Sequence, residues 1–274
     1  KLREAEITGN FPADPMGDWT DYAAAGVDGA AALDARLVDL AGKVGLAEEL
    51  YSLGLQSRIN PADHPQIAEK ITVARKTLRE AAAQNPELAD LVEFWEVNAF
   101  NQNASLLENL LFAMPVQARA SIAEYADDDA VIDVLTTTGA DVPLTKVGLA
   151  IAEQLVELLG AVDEDSSLLD SFSDYSKKDI LASAELVEKY RMKADHKPSD
   201  EERRLLLSFA LAFIPVRDRL DAVDKEVEAQ ILAARVKAIE LTQNSDAFVS
   251  FGEDRYSPAL SLSESLLHGK RRYD

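Results

Sequence analysis

Cysteine is absent from the 274 residues, which excludes disulfides and thiolate chemistry together. Histidine is nearly absent. His64, His196 and His268 are the whole supply, none within a helical turn of another and none in a Glu-x-x-His pair. A helix-borne metal centre is therefore disfavoured, and each ring is expected in solvent at a loop or helix end. Long apolar runs are missing as well. The longest stretch, 205–216 (LLLSFALAFIPV), is broken by Ser208 and Pro215 and falls short of the ~20 residues a bilayer requires. Residues 1–10 hold no apolar run of the secretory or transit kind. Neither a Gly-x-Ser-x-Gly elbow nor a phosphate-binding Gly-x-x-x-x-Gly-Lys-Ser/Thr loop occurs. Cations are scarce too: 28 Lys+Arg against 49 Asp+Glu leave a net charge of −21, which repels phosphate backbones and anionic lipid. These absences lead to the expectation of a soluble chain with no nucleic-acid partner, no direct membrane insertion and no cofactor of its own.

What is present is helical patterning over a sufficient apolar content, 47% of the chain, to fill a core. Residues 1–29 read as an irregular, turn-rich segment, with Asp18, Trp19 and Tyr22 either docking a partner or pinning the segment to a helical body. Leu33, Leu37, Leu40 and Val44 then form a helical stripe that Gly45 ends, a second helix covers 46–53, and Ile67, Ile71, Ala74 and Leu78 mark a third. Beyond 114 the pattern predicts helices over 115–126, 130–138, 143–162, 176–194, 199–214 and 219–243. Leu144, Val147, Ile151, Leu155, Leu158, Leu159 and Val162 trace one face, and the segment from Leu205 to Ile214, apolar on nearly every side, is the candidate core centre. The acidic runs 127–129 and 163–165 read as helix-start and loop charge, since neither has the spacing of a calcium loop.

The chain repeats itself. Residues 98–113 (NAFNQNASLLENLLFA) recur 156 positions later as 254–269 (DRYSPALSLSESLLHG), so that Ser105 matches Ser261 and Glu108 matches Glu264. Upstream, 91–94 answers 248–251, and Ile71–Arg75 answers Ile231–Arg235. Each copy reads as a helix bearing Ile-x-x-Ala-Arg, an extended run, a polar loop and a new helix capped by Ser with Glu three residues on, the spacing of a capping box. Such a cap followed by Leu-Leu is ordinary helix grammar, but the recurrence of the whole module points to a common unit. The two extended runs either pair with each other or complete sheets supplied elsewhere. The fold class is therefore mainly α: a bundle-like or orthogonal multi-helix array with two short extended segments. Its organisation is an N-terminal segment 1–29, a first module 30–114, a central helical body 115–218 and a second module 219–274.

Residues 104–113 (ASLLENLLFA) and 260–269 (LSLSESLLHG) resemble the segment just after the glutamine loop in the ATP-binding domains of ABC exporters, where a Thr/Ser-x-x-Glu-Asn-Leu-Leu-aromatic-Gly run opens the helical subdomain. More narrowly, the chain is similar to the large helical insertion of bacterial fused ABC transporter ATP-binding/permease proteins. The matching pieces are Glu4–Asn10, Asp18–Gly26, Tyr51–Leu55, Pro215–Leu220 and both repeat copies. The resemblance implies an ABC-type ATPase as parent, with Mg-ATP bound outside this chain. It also implies a cytoplasmic place at the inner face of the membrane, with the nucleotide-binding core and transmembrane domain as partners. Departures from the family run include Ser265 for Asn, His268 for the aromatic, and Ala113 for Gly. No glutamine-loop glutamine precedes either copy, so the isolated chain is expected not to bind ATP.

Two readings stay open: a helical accessory domain of such a transporter with a coupling or regulatory role and no catalysis of its own, or a free-standing acidic adaptor that binds a protein. An enzyme using paired carboxylates is the weakest alternative, since nothing local holds two of them at a fixed separation. The coupling or interface candidates are Glu108, Asn109 and Glu264 in the repeats, Asp18, Trp19 and Tyr22 near the start, and Arg217 and Arg219 beyond the core helix.

Overall fold

The computed structural model describes residues 2–9, 17–117, 119–159, 175, 177–193, 196–252 and 254–273. It is mainly helical with two small antiparallel sheets, as the patterning anticipates. The chain divides into two compact units, 1–55 and 56–274; the division falls inside the module read from sequence as 30–114.

The first unit carries α1 (Leu2–Thr8), α2 (Ala30–Lys43) and α3 (Ala47–Gln56), the last residue of α3 lying past the boundary. Helix α1 corrects the expectation of an irregular 1–29: the Thr8 hydroxyl donates back to the Glu4 carbonyl, and Gly9, at φ 68°, follows the helix in the left-handed region. The apolar stripe of α2 forms as its spacing requires, yet Ala41 is its only buried residue and Leu37 and Val44 are 53% and 67% exposed.

The second unit is built from α4 (Pro65–Gln84), α5 (Pro86–Ala89), β1 (Val92–Phe94), α6 (Leu106–Leu111), β2 (Ala113–Pro115), a 3-10 turn at Ala123–Asp127, α7 (Asp129–Thr138) and α8 (Asp141–Leu159). It continues with α9 (Lys177–Met192), α10 (Asp200–Ala212), α11 (Pro215–Asp218), α12 (Lys225–Gln243), β3 (Phe248–Ser250), α13 (Leu262–Leu267) and β4 (Gly269–Arg271). Local chemistry sets the ends. Asp128 accepts from the amides of Ala130 and Val131 to cap α7, Gly139 at φ 75° closes it, and Ser199 with Glu202 forms a capping box on α10. Each such cap is worth about 1 kcal/mol.

Helix α10 occupies the core centre, with Leu206, Leu207 and every residue from Phe209 to Phe213 buried. A fully buried Leu or Phe contributes roughly 1.5–3 kcal/mol, so this turn-by-turn burial organises the unit. The α8 stripe packs on it through Leu144, Val147, Ile151 and Leu155, while Leu158 is 60% exposed and Val162 lies outside the described residues. Gly148 is what lets the two helices approach: a Cβ there would sit 1.9 Å from the Leu206 carbonyl oxygen.

Two helices expected from periodicity are shorter or absent. The described residues of 115–126 hold no α-helix, because Pro115 continues β2 and the Tyr125 hydroxyl donates to the Gln117 carbonyl ahead of a 3-10 turn. Helix α12 starts at Lys225 rather than 219, because Arg219 adopts the left-handed conformation (φ 54°) that ends α11 and Asp224 caps the new helix. The extended runs do form strands, and they do not pair with each other. Strand β1 pairs with β4, Glu93 facing Lys270, and β2 pairs with β3, Met114 facing Val249. Each copy's leading strand thus completes its sheet with the strand that trails the other copy's short helix.

Candidate functional site

The same exchange governs the arginines of the two Ile-x-x-Ala-Arg sequences. Arg235 on α12 is 1% exposed and reaches into the first copy, its Nε donating to the Asn109 carbonyl at 2.6 Å. Its Nη1 donates to the carbonyls of Glu96, Val97 and Ala99, and its Nη2 to Asn109 Oδ1 at 3.0 Å. Arg75 on α4, 3% exposed, reaches into the second copy: Nε donates to the Ser265 carbonyl, and Nη1 to those of Gly252 and Arg255. Ser265, Gly252 and Arg255 are the counterparts of Asn109, Glu96 and Ala99 at the repeat offset of 156. Burial holds the Arg235 pKa down at about 10, still charged at neutral pH.

Between the two arginine-held loops lies an aromatic cluster. Trp95 meets Phe112 edge-on at 5.7 Å and Phe251 at 4.8 Å, and the Arg235 guanidinium lies 5.3 Å from the Phe112 ring centre. The Trp95 amide donates to the His268 carbonyl and, in the mirrored position, the Phe251 amide donates to the Phe112 carbonyl. Phe112 and His268 share the same left-handed conformation, φ 47° and 46°.

Both repeat helices carry the complete capping box. In α6, Ser105 Oγ accepts from the Glu108 amide while Glu108 Oε2 accepts from the Ser105 amide and hydroxyl, and Ser261 with Glu264 reproduces the set in α13. That leaves one oxygen on each glutamate, and a single lysine takes both. Lys270 Nζ lies 2.6 Å from Glu108 Oε1 and 3.1 Å from Glu264 Oε1. Burial works to lower the lysine's pKa, but the two carboxylates overcome it and raise it. Burial likewise works to raise the pKa of Glu264, and the lysine's charge with the Ser261 amide brings it below the ordinary value. The side chain of Glu108 is 4% exposed and that of Glu264 36%.

Of the sequence candidates, Glu108, Asn109 and Glu264 meet at this junction. Asn109 is fully buried and spends its amide within the fold, donating to the carbonyls of Asn101, Ala104 and Ser105 and accepting from the Asn101 amide. The turn bearing Arg217 and Arg219 abuts it, since the Leu106 amide donates to the Phe213 carbonyl and the Val216 amide to that of Gln102. Arg217 pairs with Asp218 at 2.7 Å. Asp18, Trp19 and Tyr22 belong to the first unit. There the Tyr22 hydroxyl donates to Asp18, which lowers the Asp18 pKa and raises that of the tyrosine, and Trp19 is 59% exposed.

Sequence reasoning missed Lys270, the lining roles of Trp95, Phe112 and Phe251, and His268. The expectation that all three histidines are solvated is corrected by His268, which is 4% exposed with neither ring nitrogen hydrogen-bonded, and by His196, whose ring contacts Glu202 at 3.1 Å. The repeat offset held the signal: His268 stands where Phe112 is packed, a position that the first copy fills with an apolar ring.

Among the described residues no cluster of three or more His, Asp or Glu is arranged to hold a metal ion, and no helix is long and apolar enough to cross a membrane. Among the described residues, open grooves flank the core. One, of about 840 Å³, runs between α8 and α12 over Val147, Ala150 and Ala234. Another, of about 820 Å³, is rimmed by carboxylates that include Glu124, Asp127 and Glu185. The junction itself is ionic and partly buried, Glu108 lying at 4% and Lys270 at 20% side-chain exposure. It can fix the relative position of two helix starts. No protein-family model, curated protein or solved structure matches the chain.

Proposed function

We propose that the chain is a helical accessory domain of an ABC-type transport ATPase, coupling or regulating the motor and contributing no catalytic group. The observation that carries this reading is the shared ion triad. The two helix starts that resemble the opening of the motor's helical subdomain meet at one lysine, so a displacement of either is felt by the other. On this reading the partners are the nucleotide-binding core and the transmembrane domain of the same transporter. Mg-ATP is held by motor residues outside these 274, and the domain works in the cytoplasm at the inner face of the membrane. Glu108, being buried, acts by holding α6 in place rather than by touching the motor.

The test neutralises the triad as a set, Glu108→Gln, Glu264→Gln and Lys270→Met together, because removing only the carboxylates would strand a buried ammonium. In the full transporter reconstituted into vesicles, ATP hydrolysis should continue while transport per ATP falls by about fivefold or more, the low end of a coupling free energy. An unchanged ratio contradicts the role. A second reading, the free-standing acidic adaptor, draws support from α2 and α3. Leu37, Val38, Val44, Tyr51 and Leu53 there are each more than half exposed, a concentration of apolar surface that suits a protein partner. A native gene with no motor attached favours this second reading.

A further inference from the structure

His268 has an arrangement that structural packing alone does not call for. It closes α13 at φ 46°, its side chain is buried, and neither ring nitrogen makes a hydrogen bond of ordinary geometry, the Phe251 backbone being the one group near enough to favour the charged ring. Buried polar atoms without partners cost roughly 1–3 kcal/mol each, and the first copy avoids that cost by placing Phe112 at the equivalent position. The residue is also wired into a strand pair. Its carbonyl accepts from Trp95, immediately after β1, and the next residue, Gly269, opens β4, where a Cβ would come within 2.5 Å of the Glu93 carbonyl oxygen. The β1–β4 contact therefore has no slack in which a displaced ring could be absorbed.

The charges around the ring determine what a proton would do there. Helix α4 brings Arg75 and Arg79, whose charges act on the ring, and the neighbouring segments carry Glu96 after β1 and, after β3, Arg255 with Asp254, the latter paired with Lys76. Helix α13 carries Glu264, β1 carries Glu93 and β4 carries Lys270. Every carboxylate among them is already engaged: Glu96 by Arg79, Glu264 by Ser261 and Lys270, and Glu93 by the amide and side chain of Asn103. Among the described residues, an imidazolium formed at 268 would have the Arg75 and Arg79 guanidiniums beside it and no disengaged carboxylate to answer it.

We propose that His268 is a proton-operated latch: the neutral ring lets β4 lock onto β1, and protonation releases this strand pair and, with it, the Lys270 bridge between the two repeat copies. The direction follows from linkage. Burial first, then the charges of Arg75 and Arg79, outweigh the Phe251 backbone contact and hold the pKa of the folded ring at about 4 against an ordinary 6.5. The unfolded or released state thus binds the proton more readily. The contribution of the latch is complete above pH 6.5 and is lost as the pH falls from there toward 4. The proposal stands independently of any role in a transporter.

Two measurements on the full chain decide it. In a His64→Gln, His196→Gln background, His268 gives the single imidazole signal, which NMR should titrate with a midpoint near 4. Hydrogen exchange from pH 7 to 4.5, corrected for intrinsic rates, should show β1 and β4 amides losing protection by about tenfold while α10 keeps its own. His268→Phe, which copies Phe112, should abolish that local loss. A ring midpoint near 6.5 overturns the proposal. So does loss of protection in α10 together with the strands, and so does an unaltered pH response in His268→Phe. Should that variant not fold, a ring that titrates near 4 without any change in β1–β4 exchange is equally decisive against the latch.

Discussion

Lys270→Met is expected to lose on the order of 3–5 kcal/mol of stability at pH 7, the range for removing one partner of a buried charge pair. The substitution copies Met114, the residue at the matching position in the first repeat, so the loss reports on charge more than on shape. Without the ammonium, the Glu108 and Glu264 carboxylates face each other with only their capping bonds to hold them. Two like charges so close are not both readily ionised, so the pair holds a proton above the ordinary carboxylate range. A group with a raised folded pKa keeps its stability below the unfolded value and loses it as the pH rises through the folded one. The deficit of the variant should therefore shrink between pH 7 and pH 5. Urea unfolding followed by Trp95 fluorescence in a Trp19→Phe background measures both quantities. A deficit below about 1 kcal/mol, the worth of a surface pair, would show the triad to be incidental.

Arg235→Leu should be comparably damaging, about 3–5 kcal/mol, through a different mechanism. One guanidinium serves the carbonyls of Glu96, Val97, Ala99 and Asn109 at once, and it also anchors Asn109 Oδ1. Removing it orphans the acceptors that shape the loop between β1 and α6 and withdraws the cation from the Phe112 face. Arg235→Lys should recover less than half of the loss, because an ammonium lacks the planar fork that spans acceptors on both sides. Calorimetric Tm values for the two variants give the ranking, and a Lys variant that recovers most of the loss would contradict the fork argument. Arg75→Leu should likewise be destabilising, because the guanidinium holds the carbonyls of Ser265, Gly252 and Arg255 in the second copy.

How much of this was legible in the sequence follows from the range of each interaction. The capping boxes of Ser105, Ser199 and Ser261 were readable because a cap needs only residues three apart. The core role of 205–214 was readable because its apolar residues cover every helical face. The repeat was readable as self-similarity, and so was the recurrence of Arg75 and Arg235. What the copies do with each other was not. Strand pairing between β1 and β4 joins residues some 180 positions apart, and nothing in three residues of β-like sequence states its partner. The lysine of the triad escaped notice for a related reason. Its counterpart is a methionine, so the feature that breaks the repeat became the one that joins its halves. Trp95 and Phe251 read as extended-run residues, and only the crossing of the copies turns them into a shared cluster with Phe112. The helix expected over 115–126 failed because periodicity cannot register a proline that is already committed to a strand.

That exchange between copies is the claim on which the junction, the latch and the coupling role all rest, and the chain's lack of cysteine makes it directly measurable. The register places Met114 opposite Val249, in separate copies, whereas pairing of the two leading strands would place Glu93 beside Val249. Met114→Cys with Val249→Cys should form a disulfide in high yield under mild oxidation, since facing positions on antiparallel strands hold their Cβ atoms about 4.5–5.5 Å apart. Glu93→Cys with Val249→Cys should stay reduced. The opposite pattern would mean that like strands pair with like, and that the two copies do not interlock in the way described.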